Sequence, residues 1–141
     1  MIPHARHVFF ALAAALLSAC NRTPVTGRAQ LNIVPDGVML PLGKRTYKDM
    51  LSGQNLDKDG PDRARLKTVG QRIAKVANQP KYKWQFSMIK EKKTMNAWCL
   101  PGGKIAFYTG ILPVVQNEAG MAFVMGHEVA HATARHGAER L

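Results

Sequence analysis

The sequence has few acidic residues, and this shortage sets its charge. Nine acidic residues stand against 20 basic ones, so the formal net charge is +11 and an anionic partner has to be considered. The basic residues are scattered and are not interleaved with aromatic ones. Their densest cluster, KEKK at residues 90–93, fits a solvated hairpin tip between two strands better than a nucleic-acid patch. We therefore expect no nucleic-acid partner.

A long apolar run is also lacking. The longest, residues 8–19, has 12 residues and is interrupted only by Ser18, which is too short for a stable membrane-spanning helix. It follows a short basic segment and fits the apolar region of a secretory signal peptide. Ser18, Ala19 and Cys20 then resemble the lipobox of bacterial lipoproteins. That resemblance implies cleavage before Cys20 and acylation of Cys20, and several acyl chains on one residue anchor a protein firmly.

We therefore predict a lipoprotein signal peptide at residues 1–19 and a lipidated Cys20. The alternative is an ordinary signal peptide with an incidental cysteine. Asn21 follows the cysteine, where the lipoprotein pattern has aspartate for inner-membrane retention, so the resemblance implies the outer membrane.

Cysteine is scarce as well, since Cys20 and Cys99 are the only two. If Cys20 carries lipid, Cys99 has no disulfide partner in this sequence. The apolar neighbours of Cys99 in the stretch AWCL favour burial of its thiol.

The remaining chain has the length of one domain of the α+β class. Residues 20–37, rich in glycine and proline, are predicted to form a tether with a short strand near residues 30–34. Residues 38–141 are predicted to be the N-terminal part of a domain. It begins with a short helix at residues 38–50, interrupted near Pro41.

Within this domain, apolar spacing predicts a helix over residues 62–78, with Leu66, Val69, Ile73 and Val76 as its buried stripe. Three short strands follow, at residues 83–90, 94–100 and 104–110. We expect them to be antiparallel, with a tight turn at residues 100–104. A last helix is predicted to begin at Asn117, a suitable N-cap, with Glu118 favourable to the helix dipole.

This last helix carries the motif HExxH at residues 127–131. Four residues turn a helix through about 400°, so His127 and His131 share a face and both imidazoles can bind one zinc ion. Glu128 is offset by one residue and can take a proton from the attacking water and pass it to a leaving amine. Chance predicts roughly 0.005 such motifs at this composition. The apolar residues 119–125 predict that the helix is buried on all sides.

Two histidines do not complete a catalytic zinc site, which normally has three protein ligands and a water. His136 lies about 900° from His127, on the opposite face, so we do not expect it to be a ligand. The acidic residues Asp57, Asp59 and Asp62 have no spacing that argues for coordination. We therefore expect the third ligand to lie beyond Leu141, in a longer protein of which this chain is the front part.

These stretches together resemble a known family. NAWCLPGGKIAFYTGIL, followed by NEAGMAFVMGHEVAHATARHGAERL, is similar to the HtpX-like and BepA-like zinc metallopeptidases, relatives of the CAAX prenyl protease. The segment TPVTGRAQL after the lipobox is typical of their periplasmic lipoprotein subgroup in Gram-negative bacteria. The resemblance implies a gluzincin-type domain in which a small sheet packs on the HExxH helix and the chain is truncated after that helix.

The resemblance further implies one Zn²⁺ per complete domain, with His127 and His131 as ligands, Glu128 as general base and a later glutamate as third ligand. It also implies that a strand, here around Asn96, Ala97 and Trp98, binds the substrate backbone, although a plain core strand remains the alternative.

Two functions remain open from the sequence. The first is a lipid-anchored zinc metalloendopeptidase at the periplasmic face of the outer membrane, hydrolysing misfolded or misassembled envelope proteins. The second is a non-catalytic envelope chaperone that holds unfolded outer-membrane proteins along a strand edge. Protein substrates and a membrane are the expected partners.

Overall fold

The computed structural model describes residues 20–22, 29–31 and 34–134. The predicted signal peptide and His136 lie outside these residues. The helices are α1 (Asp36–Leu51), α2 (Pro61–Ala77), α3 (Leu112–Val115) and α4 (Glu118–Thr133), with a 3-10 turn at Thr109–Ile111 before α3. The strands are β1 (Cys20–Arg22), β2 (Ala29–Leu31), β3 (Leu56–Asp57), β4 (Gln85–Ile89), β5 (Ala97–Leu100) and β6 (Lys104–Tyr108).

Four of these strands form one mixed sheet in the order β3-β4-β6-β5. β4 runs parallel to β6, whereas β3 is antiparallel to β4 and β5 is antiparallel to β6. β6 is therefore covered on both sides, and β5 is an edge strand of the described sheet.

The predicted antiparallel arrangement is wrong for one pair, β4 and β6. The prediction assumed that successive strands pair with each other. The loop between β4 and β5 instead carries the chain across the sheet, and the turn after β5 brings β6 back between them. The KEKK cluster lies in this crossing loop, which is not a hairpin because β4 and β5 do not pair. Strand positions follow from local alternation, but their order depends on contacts distant in sequence.

The hairpin between β5 and β6 forms as predicted. Leu100 pairs with Lys104, and Gly102 and Gly103 between them have φ values of +84° and +72°. These values lie in the left-handed region, which glycine adopts at little cost and other residues do not. The two glycines thus allow the chain to reverse within three residues.

Helices cover both faces of the sheet. On one face, the fully buried Met88, Ile105 and Phe107 pack against α2 and α4, and this forms the hydrophobic core. Leu66 and Val69 contribute from α2. The predicted α2 stripe is thus confirmed at these two positions and at Ile73, which is partly buried against the core, but Val76, 77% exposed, lies outside it.

Helix α1 covers the other face. The Tyr47 hydroxyl is 2.7 Å from Ser87 Oγ in β4, and its ring meets the Trp98 ring edge-on at 5.7 Å between centroids. At Gly43 a Cβ would lie 2.2 Å from the Pro101 carbonyl oxygen, so glycine lets the β5–β6 turn approach this helix. Helix α1 continues through Pro41 rather than breaking there, which corrects the predicted interruption.

The N-terminal segment forms a small hairpin in which β1 and β2 pair antiparallel, with Cys20 opposite Leu31. A short strand near residues 30–34 was predicted, and it lies at Ala29–Leu31. Among the described helices, none combines the length and apolarity that crossing a bilayer requires. The domain boundaries at residues 19 and 37 stay predictions.

Two substitutions in α2 test this account of the core. We expect Leu66→Ala to lower the free energy of unfolding by about 2–5 kcal/mol, because Leu66 is fully buried. Val76→Ala on the same helix should change it by less than about 0.5 kcal/mol. Urea denaturation followed by circular dichroism measures both. Equal losses in the two variants would contradict the assigned rotation of α2.

Candidate active site

Helix α4 begins where the sequence predicts. The Asn117 side chain accepts a hydrogen bond from the Gly120 backbone N–H at 3.0 Å, and Glu118 lies in the first turn. This cap satisfies one of the backbone donors that a helix leaves unpaired at its N-terminus. The predicted N-cap is confirmed, and it fixes the start of the helix that carries HExxH.

One face of α4 is buried and the other is not. Met121, Met125 and Val129 point into the core, at intervals of four residues. Phe123, His127 and His131 lie on another face, where Phe123 is 78% exposed. The prediction of a helix buried on all sides is therefore wrong for the described part of the protein, because the sheet and α2 cover only one side of it.

The two histidines of the motif approach each other closely. Their Nε2 atoms are 2.9 Å apart, and their rings stand nearly perpendicular, at 85°, with centroids 4.4 Å apart. Two imidazole nitrogens at this separation can both bind one zinc ion at about 2.0–2.1 Å. Within the described ranges, no group of three histidine, cysteine or acidic side chains could hold a metal. His127 and His131 thus fit as two ligands of a zinc site that needs at least one more protein ligand.

Glu128 lies between the histidine face and the sheet. Its carboxylate contributes, after burial, to raising the pKa of the Cys99 thiol, so Glu128 is on the side of α4 that faces β5. Helix α4 packs directly against β5. The HExxH carboxylate is therefore directed towards the edge strand of the sheet.

The backbone of β5 presents alternate residues to this free edge. The Asn96 carbonyl accepts a hydrogen bond from the Tyr108 N–H at 3.0 Å and so faces β6. Alternate residues of a strand direct their backbone N–H and C=O groups to opposite sides. The backbone groups of Trp98 therefore also point to β6, whereas those of Ala97 and Cys99 point to the free edge. The Ala97 N–H is not free, because it donates to the Asn96 side-chain Oδ1 at 2.9 Å.

Sequence reasoning missed Tyr82. Its hydroxyl donates to the Ala132 carbonyl at 3.5 Å, in the last turn of α4, and its pKa is raised by burial and by Cys99. The contact connects the segment before β4 to the end of the helix that carries His131. No motif marks this tyrosine, because the contact joins residues 50 positions apart.

Comparison with known proteins identifies the family of this chain. The family described as Peptidase family M48 matches residues 61–141, more than half of the sequence. The chain belongs to this family. Its M48 segment begins at the first residue of α2 and includes β4, β5, β6 and α4.

The M48 relatives include mitochondrial and bacterial proteins. The chain is 34% identical, over 84% of its length, to the mitochondrial metalloendopeptidase OMA1 of Schizosaccharomyces pombe, of which the match covers 36%. It is 24% identical, over 89% of its length, to the beta-barrel assembly-enhancing protease of Escherichia coli K12, of which the match covers 26%. The chain thus spans about a third or less of the length of these relatives.

The environment of Cys99 in this M48 domain gives a testable property. The sequence predicts a buried Cys99, and the structure shows it half-buried. Burial, together with Glu128, raises the pKa of its thiol from 9.0 to about 12. We expect Cys99, the remaining cysteine of this sequence in a Cys20→Ser variant, to react with a disulfide reagent at about pH 8 at least 100-fold more slowly when the protein is native than in urea.

The same shift links stability to pH. A thiol whose pKa is higher in the folded state stabilises the fold below pH 9.0 and loses that contribution as pH rises towards about 12. A Cys20→Ser/Cys99→Ala variant should lack this part of the pH dependence. Equal thiol reactivity in native and unfolded Cys20→Ser protein would contradict the buried position.

Proposed function

We propose that this chain supplies the HExxH part of a zinc metalloendopeptidase of gluzincin type, anchored through Cys20 in the cell envelope. The observation that carries the proposal is the convergence of the His127 and His131 Nε2 atoms to 2.9 Å, on an exposed helix face beside Glu128. Membership of peptidase family M48 supports it.

The residues at the motif suit zinc. His127 and His131 would hold the ion, since imidazole nitrogen is a preferred zinc ligand. When bound, zinc polarises the scissile carbonyl and lowers the pKa of the attacking water. We propose that the third protein ligand is a glutamate in a part of the domain that follows this chain, as the family resemblance implies.

Glu128 is proposed as the general base. Its carboxylate accepts a proton from the attacking water and then returns that proton to the leaving amine. The orientation of Glu128 towards β5 supports this role, because a substrate backbone lying along β5 would bring its scissile bond to the same side of α4.

The edge of β5 is proposed to bind the substrate in extended form. Edge pairing uses the backbone hydrogen-bonding groups of the strand, which makes recognition tolerant of substrate sequence. Of the predicted residues Asn96, Ala97 and Trp98, Ala97 directs its backbone to the free edge, and Cys99 does so too. Trp98 instead packs on Tyr47, where it would support the strand from the other face.

We propose the periplasmic face of the outer membrane of a Gram-negative bacterium as the location, and misfolded or misassembled envelope proteins as substrates. The lipobox-like residues Ser18, Ala19 and Cys20 support the location. The bacterial relative, whose name refers to beta-barrel assembly, supports the substrate class. The mitochondrial relatives share the peptidase family but not this location.

Substitution of Glu128 in the full-length protein tests the mechanism. We expect Glu128→Gln to lower kcat for casein at least about 100-fold while zinc content stays stoichiometric, since the general base is lost but the ligands remain. His127→Ala should lose both zinc and activity. Zinc is measured by atomic absorption after purification.

Glu118→Gln is the matched control, because Glu118 lies on the same helix and pairs on the surface with Arg72. It should retain activity. Full casein cleavage by Glu128→Gln would show that Glu128 is not the base. A wild-type protein that holds no zinc and cleaves nothing would favour the chaperone alternative.

A second experiment tests the edge strand. Asn96 Oδ1 occupies the Ala97 N–H that a substrate carbonyl would use. We expect Asn96→Ala to lower KM for a peptide substrate about two- to tenfold with kcat unchanged, because one competing hydrogen bond is removed. Asn55→Ala, in an exposed loop, is the control. A raised or unchanged KM in Asn96→Ala would argue against pairing at this edge.

A further inference from the structure

A second candidate site lies on another part of the molecule, between α1 and α2. A cavity of about 540 Å³ opens beside β4, and its lining includes Tyr47 from α1 and Arg63, Lys67 and Gln71 from α2. Its volume falls in the range of small-molecule sites, roughly 300–1,000 Å³. The cavity exists because β3 pairs with β4 only at Met88 and Ile89, which leaves the first part of β4 uncovered.

The two cations in this cavity form no ion pair with another residue of the described ranges. Five ion pairs in the described chain use Asp36, Asp49, Asp57, Asp62 and Glu118, and none of them involves Arg63 or Lys67. Neither of these two cations has a hydrogen bond to any described residue. Two like charges four residues apart on a helix repel each other weakly. Arg63 is half-buried and Lys67 is exposed at the cavity, so an anion that enters the cavity can reach both side chains.

Hydroxyl groups lie in the same cavity. The buried Tyr47 hydroxyl and Ser87 Oγ form a 2.7 Å hydrogen bond, and both residues line the space. Burial raises the pKa of Tyr47, and the hydrogen bond with Ser87 and then the nearby Arg63 partly oppose this rise. The hydroxyls are already bonded, because the Tyr47 hydroxyl contacts Ser87 Oγ and also donates to the Ile105 carbonyl at 3.4 Å. The donors that a ligand would meet in this cavity are therefore the Arg63 guanidinium and the Lys67 ammonium.

Aromatic rings supply an apolar wall. Trp84 and Phe86 both line the cavity, and their rings are nearly parallel, at 9°, with centroids 6.5 Å apart. A ligand with an anionic end and a small organic body would fit such a space. A free inorganic ion would use only the basic side.

We propose that this cavity binds a phosphate-bearing ligand, with Arg63 and Lys67 on the phosphate and Trp84 against the organic part. Phosphate suits these donors, since its three oxygens can accept from an arginine fork and an ammonium at the same time. A soluble phosphate ester and a phospholipid headgroup share this chemistry. The proposal is independent of the peptidase function.

Titration of the full-length protein tests it. The first probe is glycerol 3-phosphate, followed by isothermal titration calorimetry at low ionic strength. The second probe is a vesicle of phosphatidylcholine with phosphatidylglycerol, followed by sedimentation of the full-length Cys20→Ser variant, which cannot carry the proposed lipid anchor. Binding of the first probe identifies a soluble ester. Binding of the vesicle alone identifies a headgroup.

We call the probe that binds wild-type protein the active probe. The variant Arg63→Gln/Lys67→Gln should bind it at least about tenfold more weakly, because two charge-assisted contacts are lost. The control Lys58→Gln/Lys75→Gln removes the same charge at two exposed positions outside the cavity, and it should change affinity less than about twofold. Thermal melts of both variants should match wild type. Equal weakening in the two variants, or no binding of either probe to wild type, would overturn the proposal.

Tryptophan fluorescence locates the ligand. We expect a Trp84→Phe variant to lose the ligand-induced change in emission and a Trp98→Phe variant to keep it, which would identify Trp84 as the reporter. We expect the active probe to change Trp84 emission with the same midpoint as the calorimetric or sedimentation titration. Binding without any change in emission would place the ligand elsewhere.

Discussion

The packing of α4 against the sheet is the constraint on which the candidate active site depends. Met121 and Met125 are fully buried against β6 and its neighbours, and Val129 continues the same face. Because these side chains fix the rotation of the helix, His127 and His131 have to point away from the core. Glu128, one residue on, has to lie between the two faces. The packing of the core thus determines which way the HExxH side chains point.

The order of the strands determines what lies next to that chemistry. If β4 paired with β5, as successive strands often do, the strand beside α4 would be covered on both sides. The parallel pairing of β4 with β6 leaves β5 at the edge instead. The left-handed conformations at Gly102 and Gly103 make this arrangement possible, because they return β6 to the centre of the sheet directly after β5.

The sequence predicts the features that depend on local spacing. The HExxH geometry, the Asn117 cap and the turn at Gly102 and Gly103 each follow from residues close together in the chain. The direction of β4 against β6 and the exposure of Val76 could not be predicted in this way, since both depend on distant partners. The exposed face of α4 was missed for the same reason. The helix is apolar on every side over residues 119–125, and apolar content alone does not reveal which side is covered.

The same limit applies to the basic residues of α2. Arg63, Lys67 and Arg72 all lie on the polar side of the helical pattern, and no sequence pattern distinguishes one from another. In the fold, Arg72 pairs with Glu118, whereas Arg63 and Lys67 line a cavity and form no ion pair within the described part of the chain. That cavity opens beside β4, and β5 is two strands away, about 10 Å across the sheet. A ligand there and a peptide on the β5 edge would therefore occupy separate surfaces, so binding at one leaves the other sterically accessible.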